Sequence, residues 1–314
     1  MLHYVFRRLL LIIPTLLGIT AIVLFFIILT PGDPARTQLG DQASEEEVQA
    51  LRVQMGLTDP YIIRFVKYVN NILHGNFGTS FRTKRPVITE ILVRYPYSLM
   101  LITVSLVFSC GIGIPLGIFA ATHQYTWKDN AAIAAALFCV SMPNFWFALM
   151  LIQLICVKLG LLPPSGVETW KGWILPVVSG SLGFCATIAR QTRSNMLEVI
   201  RQDYITTALA KGQTIRKVRY IHALRNAVIP VIMVVGSIFG HAMGGSMISE
   251  VIYSIPGLGS YTLSALQQRD YPVIQTSVLF MSTLFAIVLL LIDIIFAMVD
   301  PRIRSQFARG KSGK

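Results

Sequence analysis

Charge is what this chain has least of. Asp, Glu, Lys and Arg make up 13% of its 314 residues, about half of the roughly 25% usual in soluble domains. A soluble enzyme or binding module of this length would need more polar surface, so both classes fall away first. Acids are scarcer than bases, 15 against 27, which leaves a net charge of +12. Such an excess fits either nucleic-acid binding or basic loops on the cytoplasmic side of a membrane protein, and placement has to decide. Cysteine is sparse: Cys110, Cys139, Cys156 and Cys185 all lie in apolar runs with no C-x-x-C, as buried inert thiols do. No G-x-x-x-x-G-K-[ST] is present, because Ser305 stands where Gly310-Lys311-Ser312 would need a glycine. The chain therefore has no P-loop for ATP. H-E-x-x-H, G-x-S-x-G and paired-histidine signatures are also missing. No catalytic residue, no metal site and no cofactor bound by this chain are expected.

What the chain has instead is apolar length. Hydrophobic residues reach 54%, mean hydropathy is +0.62, and runs near the ~20 residues that cross a bilayer recur. The first runs from Leu9 to Leu29 behind Arg7 and Arg8. It is too long for a signal peptide and lacks a small-x-small cleavage site, so it reads as an uncleaved transmembrane helix. Five more follow at Ser98–Ala121, Ala131–Val157, Ile174–Ala189, Ile229–Ser249 and Thr276–Val299. The expected fold is an all-α polytopic membrane protein with six transmembrane helices and both termini inside. It divides into a first helix (1–30), an outer insertion (31–96), a five-helix core (97–300) with a cytoplasmic loop at 190–228, and a cytoplasmic tail (301–314) expected to be disordered.

Basic residues agree with that orientation. The segments assigned inside, which are the N-terminus, 122–130, 190–228 and 300–314, hold 16 Lys and Arg, whereas the short outer loops hold only Lys158, Lys171 and Arg269. The long insertion holds eight, but long loops escape the positive-inside rule. The charge excess is thereby explained by membrane insertion, without nucleic acid.

Pro31-Gly32-Asp33-Pro34 ends the first helix. In the insertion, Ser44 ahead of Glu45, Glu46 and Glu47 predicts a capped helix start. Ile62, Phe65, Val66 and Val69 predict the apolar face of a short amphipathic helix. The insertion reads as a structural cap.

The most informative stretch is Asp203 to Pro230, a basic segment between apolar runs. Ile205, Ala208, Leu209 and Gly212 fall on one helical face, Gly212 predicts a bend, and Val218, Ile221 and Leu224 line a second helix. Such a helix–bend–helix fits a groove on a soluble partner or rests on anionic headgroups, and the residues alone leave both open.

The spacing Thr206-Thr207-Ala208-x3-Gly212-x9-His222-Ala223-Leu224-Arg225 resembles the EAA loop of ABC-importer permeases. Asp203-Tyr204, Ala210-Lys211-Gly212 and His222 through Ala227 narrow it to the dipeptide/oligopeptide/nickel branch, a type I importer permease fold. Thr206 and Thr207 depart from the general Glu-Ala, and Arg225 from the general Pro; the Arg is typical of that branch. Pro31–Ala35, Phe77-Gly78-x-Ser80, Arg85–Val87, Ser141-Met142-Pro143, Ile255–Gly259, Arg269–Gln275 and Asp300–Arg304 match the same pattern, so the resemblance spans nearly the whole chain. It implies a multi-pass inner-membrane subunit that imports di- and oligopeptides, with nickel, metal chelates or glutathione as alternatives. It also implies a paralogous permease partner, two ABC ATPase subunits that carry ATP and magnesium, and an extracytoplasmic substrate-binding protein. Thr206, Thr207, Ala208, Ala210, Lys211, Gly212, His222 and Arg225 would couple to the ATPases.

Within the bilayer, Gly236, Gly240 and Gly244, with Gly245 beside them, form a small-xxx-small face that packs a helix or lines the path. His241 in the same span is either a packing hydrogen-bond partner or a path residue. Asp293 is expected near the inner interface with a basic partner. Pro14, Pro115 and Pro143 are expected to kink helices, with Pro143 either a packing distortion alone, the preferred reading, or a hinge during alternating access. A secondary transporter or channel would need inverted repeats or broken helices, and an intramembrane enzyme a catalytic pair; neither pattern stands out.

Overall fold

The computed structural model describes residues 2–40 and 42–299. The terminal motif Asp300–Arg304 and the tail lie outside the described residues. Described elements are helical, with one isolated bridge between Thr79 and Pro86. Five helices are long and apolar enough to cross a membrane, and a bent pair makes a sixth span.

The helices are α1 Leu2–Leu29, α2 Pro34–Leu39, α3 Glu45–Gln54, α4 Tyr61–Leu73, α5 Val87–Thr122, α6 Trp127–Ser141, α7 Asn144–Leu151, α8 Trp170–Ile200, α9 Asp203–Ala210, α10 Ile215–Lys217, α11 Leu224–Gly245, α12 Met247–Ile252, α13 Leu258–Gln268 and α14 Tyr271–Val299. Two π-helical segments interrupt the ladder, Ile152–Lys158 after α7 and Val218–Ala223 between α10 and α11. The chain splits into two compact units, Met1–Ser98 with Pro256–Ile287, and Leu99–Ile255 with the remainder of α14.

In the first unit, local capping chemistry sets the starts of α2 and α3. Asp33 caps α2 by accepting from Ala35 N at 3.0 Å, and Pro34 takes the first helical position, where its missing N–H is no loss. Arg52 donates to the other Asp33 oxygen at 2.8 Å. Ser44 and Glu47 form the full reciprocal capping box that the sequence predicts. α4 departs from expectation on one point. Phe65 and Val69 are half-buried together with Tyr61 and Tyr68, but Ile62 and Val66 are exposed, and Tyr61 Oη donates to Ala21 O of α1 at 2.7 Å. The apolar core joins Ile27, Val87, Ile91, Leu258 and Ile274.

Asp270 centres this unit. It is 4% exposed and accepts from Ser80 Oγ (2.5 Å), Phe81 N (3.0 Å) and Arg82 N (3.4 Å). Thr276 Oγ1 donates to Phe77 O at 2.9 Å, and Ser98 Oγ accepts from Leu258 N at 2.8 Å. Gly32 sits under the Arg269 guanidinium, where a Cβ would lie 1.5 Å from a nitrogen. Motifs far apart in sequence thus meet in one hydrogen-bonded knot. Residues 250–275, expected as a loop, hold α12 and α13. Gly257 and Arg269, the latter in left-handed conformation at φ 57°, punctuate α13 rather than dissolve it.

In the second unit, α5 and α8 approach closely. A Cβ on Gly113 would meet Cys185 O at 2.7 Å and one on Gly117 would meet Ala189 O at 2.5 Å. Ser109 Oγ lies 2.9 Å from Ser181 O. This Ser109-x3-Gly113-x3-Gly117 stripe is a small-residue seam that sequence reasoning passed over in favour of the one on α11. Of the latter, a Cβ on Gly236 would meet Ile292 at 2.7 Å, Gly240 is buried, and Gly244 meets open space.

The fourth span is a correction. Expected as the shortest, Ile174–Ala189, it runs from Trp170 to Ile200. Arg190 and Arg193 end the hydropathy signal but not the helix, since a helix that leaves the bilayer tolerates charge. Arg193 Nε and Nη2 grip Asp129 at 2.6 and 2.7 Å, and Asp129 is 1% exposed. The third span is broken as Pro143 foretold: Met142 (ψ 124°) and Pro143 (ψ 129°) are extended, and the two halves meet at 95°. The four cysteines are free and half-buried rather than buried.

Candidate functional site

α9 begins three residues after α8 ends. Ile205, 3% exposed, plugs it into a cluster with Ile118 and Ala121 of α5, Met196 of α8 and Val218, Ala223 and Ala227. Burying that one isoleucine contributes roughly 2 kcal/mol. Ala208 packs at the rim, but Leu209 and Gly212 are exposed, so only half of the expected apolar face is covered. Gly212 adopts φ +80° with nothing within 4 Å of where a Cβ would sit, which makes the bend a backbone requirement and not a packing one.

The expected second helix is not separate. Ile215 through Gly244 form one continuous helical run, so this helix is the end of the fifth span. The buried residues are Val218, Ala223 and Ala227, five and four apart, while Ile221 is exposed. The wider π turn at Val218–Ala223 shifts the inward face by one residue, which a period of 3.6 cannot foresee. Two side-chain bonds brace the elbow: His222 Nε2 donates to Gln213 Oε1 and Asn226 Nδ2 to Tyr204 Oη, both at 2.7 Å. Thr206, Thr207, Ala210, Lys211 and Arg225 are exposed, alongside Tyr204, Ile215, Tyr220 and Ile221. Among the described residues, this surface of mixed basic and apolar side chains is left exposed.

A second feature of the same unit is a cavity of about 490 Å³ at the break between α6 and α7, within the usual range for small-ligand sites. Its polar lining comes from Ser105, Asn144, Ser179, His241, Ser246 and Ser249, with no Asp, Glu, Lys or Arg. His241 Nδ1 donates back to the Ser237 carbonyl at 2.7 Å, which places a proton on Nδ1 and turns Nε2 outward from that bond. Asn144 Nδ2 reaches Ser249 Oγ at 3.3 Å.

Two family models cover this chain: the binding-protein-dependent transport system inner membrane component over residues 113–305, and the N-terminal domain of such components over 1–102. The chain is an ABC-importer permease of the peptide type. It is 39% identical to the glutathione transport system permease protein GsiC of Salmonella paratyphi A over 304 residues, covering 97% of this chain and 99% of that one. It is 40% identical to the dipeptide transport system permease protein DppB of Alkalihalophilus pseudofirmus, covering 97% and 100%. An inward-facing structure of the MetNI methionine ABC transporter matches 68% of the permease and 98% of its own chain, with a TM-score of 0.59 at 18% identity, which supports the fold alone. The permease is accordingly a multi-pass inner-membrane protein. The broken third span satisfies one criterion set for a secondary transporter, but family membership overrides it.

Sequence reasoning gathered the elbow residues correctly in space only in part. Gln213 and Tyr204, which brace the elbow, were not singled out. Nor was the Asp129–Arg193 pair, although an acid in the short 122–130 loop and an arginine in the next segment assigned inside were there to be matched. Buried Glu250, which accepts from Ser246 Oγ at 2.7 Å, is a further carboxylate beside a span that hydropathy alone hid. Asp293 is half-buried on α14.

Proposed function

We propose that the permease forms one half of a heterodimeric path that imports small peptides, with both termini inside. The observation that carries the cargo class is end-to-end similarity, at 39 and 40% identity, to permeases named for glutathione and dipeptides. Both are short, amide-bearing and carboxylated. These relatives give no support to the nickel alternative.

In this reading, an extracytoplasmic binding protein docks on the insertion, and two ABC ATPases, which carry ATP and magnesium, engage the Asp203–Asn226 elbow. Exposure of Thr206, Thr207, Lys211 and Arg225 supports that contact, because their outer surfaces are open among the described residues. Anchoring by Ile205 supports transmission: α9 is fastened to α5 and α8, so a push on it is delivered to two spans. The chain itself does no bond chemistry.

The test is reconstitution of the complete complex in liposomes, with dipeptides, glutathione and nickel each loaded on the binding protein. Dipeptide or glutathione should stimulate ATP hydrolysis and accumulate inside; stimulation by nickel alone would overturn the cargo assignment.

A further inference from the structure

We infer that the cavity at the break of the third span is a transit site for the carboxylate of the cargo, seated at the N-terminus of α7. The inference rests on the peptide-import reading.

Three observations converge. First, α7 begins inside a membrane span with Pro143 as its cap residue, and Pro143 has no side chain that can bond the first N–H groups. The helix then continues through the π segment to Lys158, so the dipole of about four turns ends at Asn144. Second, Asn144, Pro143 and Met142 line the cavity, so this positive end opens on a space large enough for a small peptide. Third, Ser105 lines the same cavity, is 2% exposed, and its hydroxyl has no hydrogen-bond partner. A buried hydroxyl without a partner is costly in an apolar setting. A ligand oxygen that accepts from it removes that cost while cargo is present.

The remaining lining fits the class of ligand. Ser179, Ser246 and Ser249 offer neutral hydroxyls for peptide amides, and no fixed cation would hold an anion too long for passage. A discontinuous membrane helix whose half-helix N-terminus faces a substrate anion is a general solution for moving charge through a bilayer. Glu250, one turn beyond Ser246 on α12, is already engaged by Ser246 Oγ and places a carboxylate behind the wall, which favours release over retention.

The test uses the complete transporter in lipid nanodiscs, without nucleotide or binding protein, and probes it with dialanine and with dialanine amide by saturation-transfer NMR. Wild-type complex should bind dialanine at least about tenfold better than the amide, as expected for an anion on a helix N-terminus. Ser105→Asp should abolish that preference. Asn144→Asp places a carboxylate at the first position of α7, which helix chemistry favours, so it should keep the fold and still lose dialanine binding. Equal binding of acid and amide, no detectable binding by wild type, or unaltered binding by Asn144→Asp would each overturn the site. Failure of the import reading is separate: it would appear as no ATP-dependent uptake by wild-type liposomes whatever these variants do.

Discussion

The Asp270 knot and the Asp203–Asn226 elbow are equally rich in the residues that carry the family resemblance, yet their physical settings are opposite. At the knot, the resemblance residues are spent inside the chain. Asp270 is buried and accepts three hydrogen bonds, Thr276 ties down Phe77, and Gly32 makes room for Arg269. At the elbow, Thr206, Thr207, Lys211 and Arg225 are exposed, while Ile205, Val218, Ala223 and Ala227 are buried in one cluster and Tyr204, Gln213, His222 and Asn226 bond across the bend. A motif residue that its own fold fully uses explains itself; one left exposed points to a partner. Under the proposed function, that difference separates stability from coupling.

Substitution should divide the two regions along the same line. Asp270→Ala strands the Ser80 hydroxyl and two backbone donors and should cost about 3–5 kcal/mol, lowering the yield and thermal midpoint of purified complex. Arg193→Ala leaves Asp129 buried without its bidentate partner and should cost about 3 kcal/mol, whereas the double change Arg193→Met with Asp129→Leu should recover most of it in a thermal-unfolding cycle.

Gly212→Trp inverts the pattern. Open space surrounds that position, so the cost is limited to about 1 kcal/mol for a non-glycine residue at positive φ. The protein should insert and keep nearly its thermal midpoint, while cargo-stimulated ATP hydrolysis is lost. Asn226→Ala removes the brace to Tyr204 and should cost about 1 kcal/mol, with stimulated hydrolysis reduced but not abolished.

The smallest effect belongs to Asp33. Burial alone would raise its pKa, but the hydrogen bond and charge of Arg52 and the Ala35 N–H outweigh it and hold the carboxyl below the ordinary aspartate range. A depressed folded pKa means stability that is present above the unfolded value near 3.8 and is lost as pH falls through the folded one. Unfolding midpoints of wild type and Asp33→Asn should differ at pH 7 by less than about 1 kcal/mol equivalent and converge below pH 3.8.

Much of the architecture was legible because bilayer crossing leaves a one-dimensional record. Leu9–Leu29 and Thr276–Val299 fall inside α1 and α14, and Ser44 with Glu47 announced its capping box. The record failed where helices leave the apolar zone. α8 continues past Arg190 because Ile188, Thr192 and Met196 still bury on one face and Arg193 finds Asp129. α5 starts at Val87, well before the expected Ser98, for the same reason. At the elbow, the bend at Gly212 was readable from the residue type, but the π turn was not, so Ile221 was expected inward and lies outward. In the cavity, Pro143 signalled the break; Ser105 gave no signal, since its significance lies in a missing partner that only packing reveals.

Whether the exposed face of the elbow belongs to an ATPase is the point on which coupling turns. The most direct measurement places a photo-crosslinking amino acid at Thr207 in the complete complex and identifies what it captures. A covalent adduct with an ATPase subunit is expected, formed on irradiation and weakened by Gly212→Trp. Capture of lipid or of the partner permease, with no ATPase adduct, would contradict the assignment.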